Sequence, residues 1–324
     1  MKRFKNILCV VEPDATRTPA LKRAATLAKK NQANLVVVSV TEAVSHNIEV
    51  ADQVFDSSSV QQALVNANQQ KLESIVEPFL PDIKIELKTL VGIPFLEIIY
   101  QVLRNNHDLV IKAPETADWL DRLFGSNDMH LLRKCPCPIW LVKPEAAKSY
   151  GRILAAVDVD DNYPTAEQEK RHAMNQLILQ LAGSLAITEL SELHVVHVWN
   201  PPGENIMRSG LANNSEEKIS SYIYQVRRHH EHSLNKLISE MTSYVGDEIS
   251  NQIMPQTHLM KGWAREEIPA LANQINADLV VMGTVARTGI PGLFMGNTAE
   301  NILNQLNCSV LAVKPPGFVT PVTL

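Results

Sequence analysis

The chain contains itself twice. Lys5 to Glu12 (KNILCVVE) parallels Gly151 to Asp158 (GRILAAVD), and Leu35 to Val40 (LVVVSV) parallels Leu193 to Val198 (LHVVHV). His107 to Ile111 (HDLVI) parallels Ala277 to Val281 (ADLVV), and Cys137 to Pro144 (CPIWLVKP) parallels Cys308 to Pro315 (CSVLAVKP). The order is kept and the offset grows only by insertions, so chance does not account for four matches in sequence. Self-similarity of this kind marks a tandem duplication. The boundary falls near Glu145 to Tyr150, giving units 1–147 and 148–324.

Each unit reads as strands alternating with helices. In the first, Ile7–Val11, Leu35–Val40, Leu109–Ala113 and Ile139–Val142 are short apolar runs of the kind covered on both faces of a sheet. Ile83, Ile85 and Leu87 alternate, as a half-buried strand does. Between them, helices are predicted over Pro19–Lys30, Ser58–Pro78, from Gly92-Ile93-Pro94 onward, and over Ser126–Lys134, with proline at favourable first-turn positions. The second unit repeats this from Ile153 to Val313, with a longer second helix over Ser215–Tyr244. The fold class that follows is α/β: two tandem, doubly wound parallel sheets with right-handed crossovers. Ligands of such sheets sit at the carboxyl ends of the strands, where strand order switches direction.

Bulk composition narrows the function. A length of 324 residues suits two domains, and 45% hydrophobic with 20% charged residues is ordinary for globular proteins. The net charge of −5, without a dense Lys/Arg cluster, argues against charge-driven binding to nucleic acid or to a membrane surface. The apolar run after the basic start is cut short by Glu12-Pro13-Asp14, too short for a signal peptide, and no stretch reaches the roughly 18 apolar residues of a spanning helix. A cytoplasmic location is the expectation. Four cysteines, Cys9, Cys135, Cys137 and Cys308, stand in apolar contexts and make no disulfide framework.

Asp278 to Glu300, DLVVMGTVARTGIPGLFMGNTAE, is the stretch with chemistry in it. A buried strand ends at Gly283, a loop carries Gly289 and Gly292, and Gly296-Asn297-Thr298 opens a helix. Strand, glycine loop and helix N-terminus form a common anion cradle: backbone N–H groups point outward and no Cβ blocks a phosphate. The plainer reading is a βα loop whose glycines serve only tight turns. The spacing Gly283, Ala286, Gly296, Asn297 resembles the G-2x-G-9x-G-(S/T) ATP-binding signature of the universal stress protein family. Ala286 replaces its second glycine and Asn297 its Ser/Thr. With the duplication, the resemblance covers nearly the whole chain and is similar to the tandem, E-type members.

The resemblance implies strand order 3-2-1-4-5 in each unit and a nucleotide site flanked by strands one and four. It implies ATP, or another adenine nucleotide, as ligand. It also implies a role in surviving starvation, oxidants or DNA damage, with at most slow ATP hydrolysis. Modules of the family pair through their last strands, so Ile139–Val142 and Val310–Val313 would join as an internal pseudo-dimer; a homodimer of chains is left open. In the first unit Leu109-Val110-Ile111 runs into Lys112-Ala113-Pro114-Glu115, so both early glycines are missing and only Gly125-Ser126 matches. That unit is expected to bind ATP poorly or not at all.

Each site residue has a plainer role beside the functional one. Asp158 ends the first strand of the second unit, where the family has an aspartate near adenine; it also suits a loop aspartate bonded to its own turn. Glu12 is its counterpart. The backbone at Val198 would lie beside adenine, while neighbouring His197 reads equally as a core histidine. Arg287, with Thr288, closes over phosphates or is a solvated loop cation. If Asn297 is the N-cap, Glu300 falls at the third helical position and makes a capping box that competes with phosphate for N–H donors. His229, His230 and His232 lie mid-helix, and His229 to His232 has helical spacing for a metal, yet no third ligand is evident, so solvated helix histidines are expected. Cys135-Pro136-Cys137 reads as core packing rather than metal or redox chemistry. No nucleophile–base set appears, nor the convergent groups an adenylate-forming enzyme needs. The rival class is a binding module for a non-nucleotide, apolar or metabolite ligand, with Trp119, Leu123 and Phe124 lining the first unit's crevice.

Overall fold

In the computed structural model, residues 4–12, 18–44, 57–115, 126–147, 149–209, 215–245, 254–284 and 295–324 are described. The first half runs β1 (Asn6–Val10), α1 (Pro19–Asn31), β2 (Asn34–Thr41), α2 (Ser57–Val76), β3 (Ile85–Val91), α3 (Pro94–Asn105), β4 (Leu109–Lys112), α4 (Ser126–Lys134) and β5 (Ile139–Leu141). The second runs β6 (Arg152–Ala156), α5 (Thr165–Glu189), β7 (Glu192–Trp199), α6 (Glu204–Arg208), α7 (Glu216–Val245), β8 (Gln256–Lys261), α8 (Ala264–Gln274), β9 (Leu279–Gly283), α9 (Asn297–Leu303) and β10 (Ser309–Val313). The ten strands form one sheet in the order β3-β2-β1-β4-β5-β10-β9-β6-β7-β8. Each half therefore has the order 3-2-1-4-5, and within each half the pairings are parallel. Two predicted edges shift: β3 begins at Ile85 rather than Ile83, and α2 gives way at Glu77–Phe79 to a tighter turn containing Pro78.

Alternation along the strands explains the layers. Ile7, Cys9, Leu109, Ile111, Ile153, Ala155, Leu279 and Val281 face α1, α2, α5 and α7. Their neighbours Leu8, Val10, Val110, Leu154, Val280 and Met282 face α3, α4, α8 and α9. Period-two side chains with apolar residues on both faces need a helical layer on each side. In each half the chain leaves the strand-one/strand-four pair toward opposite faces, and this opens a crevice at the carboxyl ends.

The halves join where β5 and β10 pair antiparallel, with Trp140 opposite Leu311 and Ile139 opposite Ala312. The expected joining of the last strands is thus present within one chain, and it removes two sheet edges. Two lysines tie the seam reciprocally. Lys143 donates to Asn307 O at 2.9 Å, and Lys314 donates to Leu132 O and Arg133 O. Lys314 places its cation at the C-terminal end of α4, where carbonyls lack partners, and Lys143 meets the segment between α9 and β10. On the opposite face, buried Arg23 pairs with Glu189 at 2.9 Å and lies 3.9 Å over the Tyr150 ring.

Candidate functional site

In the second half β6 and β9 lie side by side, with Ile153 opposite Leu279 and Ala156 opposite Met282. Asp158 stands just past β6, at the crevice. Asn175 of α5, 4% exposed, accepts the Asp158 N–H at 3.0 Å and donates to its carbonyl at 2.6 Å, pinning the loop. The Asp158 carboxylate has partners of its own: Arg171 of α5, and the Asp160 N–H at 3.2 Å. Arg171 is in turn held by Glu167 at 2.8 Å and stacked 3.6 Å over Tyr163. The own-turn bond read as the plainer alternative is therefore present, and a ligand reaching Asp158 must share it with Arg171. Arg171 and Asn175 escaped the sequence reading; the Glu167/Arg171 spacing of four on one helix was the available signal.

On the β9 side, Thr284 N–H bonds Val313 O and Gly296 N–H bonds Thr284 O, each at 3.2 Å. The two ends of the signature loop are thus fastened together. Gly283 pairs with Val313, and a Cβ there would lie 3.3 Å from Met174 Cε. Close packing by α5 is one reason for a glycine at that point. Ala286, Arg287, Thr288, Gly289 and Gly292 lie outside the described residues.

The helix start departs from expectation. Gly296, at φ −66° and ψ 137°, is the N-cap; Asn297 is the first helical residue and Thr298 the second. Glu300 is therefore fourth, and no capping box forms. No side chain caps α9. The Glu300 carboxylate instead meets Arg133 of the first half, whose Nη2 lies 3.0 and 2.9 Å from its two oxygens. An arginine across the seam wins because it offers a full charge where a backbone N–H offers a dipole.

Val198 sits on β7 opposite Met260, half-buried toward α8 and α9. His197 points the other way and is 1% exposed, a core histidine as the plainer reading had it. Its Nδ1 lies 3.3 Å from Val157 O and its Nε2 3.0 Å from His230 Nδ1. Burial holds both imidazoles below the ordinary histidine value. The expectation of solvated helix histidines fails at His230, which is 4% exposed, because α7 presents it inward against Trp199. His229 pairs with Asp161 at 2.7 Å. A cavity of about 350 Å³ opens here, lined by Asp161, Asn162, Tyr222, Gln225, His229 and His230 among others. It lies between α7 and the loops after β6 and β7, away from α9.

The first half fills its crevice from within. Lys112 at the end of β4, 3% exposed, is bonded to Asp128 of α4, which is fully buried. The second Asp128 oxygen accepts the Glu115 N–H at 2.9 Å, and Glu115 accepts the Asn127 N–H at 3.3 Å. Burial raises the Glu12 carboxyl above its usual value, against the pull of Lys112. Met282 and Ala299 occupy the positions of Lys112 and Asp128 in the second half.

Duplicated five-stranded units, last strands joined, with one crevice occupied by its own charges, define a tandem doubly wound α/β protein. Residues 3–143 and 149–314 each match the Universal stress protein family, and the chain belongs to that family. It is 30% identical over 331 aligned positions to Universal stress protein E of Salmonella typhi, covering 100% of this chain and 98% of that one. A functionally unknown protein from Pseudomonas aeruginosa PAO1 superposes with TM-score 0.67 at 25% identity, covering 97% and 94% of the two chains. A universal stress protein from Archaeoglobus fulgidus shares the fold, with TM-score 0.56, 17% identity, and 95% and 98% coverage. Among the described residues no helix is long and apolar enough to cross a membrane.

Proposed function

We propose that the chain is a tandem stress-response factor whose second half, residues 148–324, holds an adenine nucleotide, ATP, while residues 1–147 serve as its structural partner. The observation that carries this is the contrast between the crevices. Where the first half has a buried lysine–aspartate pair, the second has Met282 and Ala299, a fastened loop between Thr284 and Gly296, and a helix start without a side-chain cap. Asp158 and the Val198 backbone would meet the base and ribose. Gly283, Ala286, Arg287, Gly296, Asn297 and Thr298 would meet the phosphates. Affinity should be modest, because α9 is a short helix and Asp158 is already engaged by Arg171. Its influence on survival under starvation, oxidants or DNA damage would run through another partner, given the acidic net charge.

Calorimetry with ATP tests this beside Gly296→Val, whose side chain would obstruct the approach of phosphate. The expected result is binding by the parent and at least a tenfold loss in the variant, about 1.4 kcal/mol. Equal binding by both overturns the phosphate assignment, and binding by neither overturns nucleotide as the ligand. The cavity beside α7 favours a second reading, a small polar metabolite at His229 and His230. Native mass spectrometry of chain purified without added ligand would show a bound non-nucleotide mass in that case.

A further inference from the structure

Lys314 follows β10 and is 5% exposed. Its ammonium donates to two carbonyls near the end of α4 and lies 4.9 Å from the Phe318 ring. The titratable groups acting on its charge, among the described residues, are not carboxylates but the thiols of Cys135 and Cys137. Those two are 0% and 7% exposed, with sulfurs 3.7 Å apart. A buried cation is costly without an anionic partner. The helix-end carbonyls of Leu132 and Arg133 meet this need in part, and the Cys135 and Cys137 thiols also act on the charge.

We propose that Cys135 and Cys137, whose sulfurs lie 3.7 Å apart, form an oxidant-reactive dithiol with Cys135 as the attacking sulfur, served by the Lys314 ammonium that reaches in from the second half to the Leu132 and Arg133 carbonyls. This is independent of nucleotide binding. It goes beyond the core-packing role that Cys135-Pro136-Cys137 suggests by itself, because the decisive residue enters from the far end of the chain. The pair lies in the turn between α4 and β5, where the Cys135 N–H still bonds Leu131 O at 2.9 Å. Closing 3.7 Å to a bond of about 2.05 Å needs a small rearrangement of that turn. Burial opposes ionisation of Cys135, but the Cys137 hydrogen bond and Lys314 prevail and hold it below the ordinary thiol value. The same hydrogen bond, with burial, raises Cys137. Lys314 itself is pushed down to about 8 by burial.

The chemistry balances with a hydroperoxide as oxidant. The Cys135 thiolate attacks one peroxide oxygen, the O–O bond breaks, and the departing hydroxide takes a proton from Lys314. Cys135 is then a sulfenic acid. The Cys137 sulfur attacks it, the S–O bond breaks, and hydroxide leaves with the Cys137 proton as water. Two thiols and one hydrogen peroxide become one disulfide and two waters.

Cys9 and Cys308 are built-in controls: burial raises Cys9 and pushes Cys308 up to about 12. The test treats the native full chain with hydrogen peroxide and maps peptides by mass. Loss of two hydrogens at the Cys135/Cys137 peptide is expected, reversed by a reducing dithiol, with Cys9 and Cys308 unchanged. Cys137→Ser should stop at a sulfenic acid that dimedone traps on Cys135. Lys314→Met, with its circular dichroism unchanged, should slow the oxidation at least about tenfold by lowering the thiolate fraction. Thiols that react together and only after denaturation would overturn the proposal. So would an unchanged rate in a folded Lys314→Met chain.

Discussion

The two halves share a backbone plan and differ in what occupies the end of the fourth strand. In the first, Lys112 and Asp128 neutralise each other inside the protein, and Asp128 also takes a backbone N–H. A carboxylate there occupies donors that an anion would otherwise use. In the second, the same two positions carry Met282 and Ala299, both buried and apolar. Duplication thus lets one copy turn this face into core, while the other is the one proposed above to hold a ligand. The comparison can be broken by exchanging residues between equivalent positions.

The largest effect should come from Lys112→Met, which installs the second half's residue and strands Asp128 without its cation. A loss of about 3–5 kcal/mol in urea unfolding is expected, the usual consequence of breaking a fully buried pair. Adding Asp128→Ala, so that both positions match the second half, should recover most of it, because replacing the whole pair by apolar groups is near neutral. A double variant as unstable as the single one would mean that Asp128 stabilises chiefly through its bond to Glu115, not through Lys112.

That pair also shows where the sequence is legible and where it is not. Repeats at Ile7/Ile153 and Leu109/Leu279 were enough for two units of alternating strands and helices, since hydrophobic runs mark both, whereas strand order and the joining of the last strands came from the family resemblance. Lys112, by contrast, reads in the sequence only as a missing signature position. Its partner is on the next helix, and no local rule connects them. Asn297 looked like the cap because asparagine is a favoured capping residue, yet extended Gly296 takes the position and Glu300 answers to Arg133 across the seam. Asp158 was singled out by the resemblance and by its place at a strand end, whereas its hold on Arg171 depends on how α5 packs. Local pattern gives the elements; charges that meet across elements require the fold.

A middle-sized effect concerns acid. Ser39 stands in the first half where His197 stands in the second, both buried. His197→Ser should cost about 2 kcal/mol near pH 8, from lost packing and an unpaired His230 nitrogen. The pH slope should move the other way. Burial lowers both histidines in the folded chain from 6.5, so the unfolded chain binds protons first. Their contribution is complete above 6.5 and is lost as pH falls from there through the folded values. Each histidine adds a slope of at most about 1.4 kcal/mol per pH unit. The variant should lose part of this slope between about pH 6.5 and 5, the window above most carboxylate titration. An unchanged slope would assign the acid response to His107, His130 or His258, which burial also lowers.

The smallest effect tests whether the halves communicate. Arg133 and Glu300, each 35% exposed, have Asn304 and Met129 as counterparts, so this ion pair occurs once although the seam is nearly symmetric. A double-mutant cycle with Arg133→Asn and Glu300→Met should give a coupling of no more than about 1 kcal/mol, as for other half-exposed pairs. Stability is the lesser readout. Glu300 places a carboxylate one turn into α9, and Arg133 offsets it. Removing the carboxylate alone should therefore strengthen ATP binding about twofold to fivefold, the size of a single charge near a helix start. Removing the arginine alone should weaken binding by a similar factor. If neither change moves ATP affinity while the fold persists, the first half holds the second in place without tuning its ligand. The charge across the seam would then belong to architecture alone.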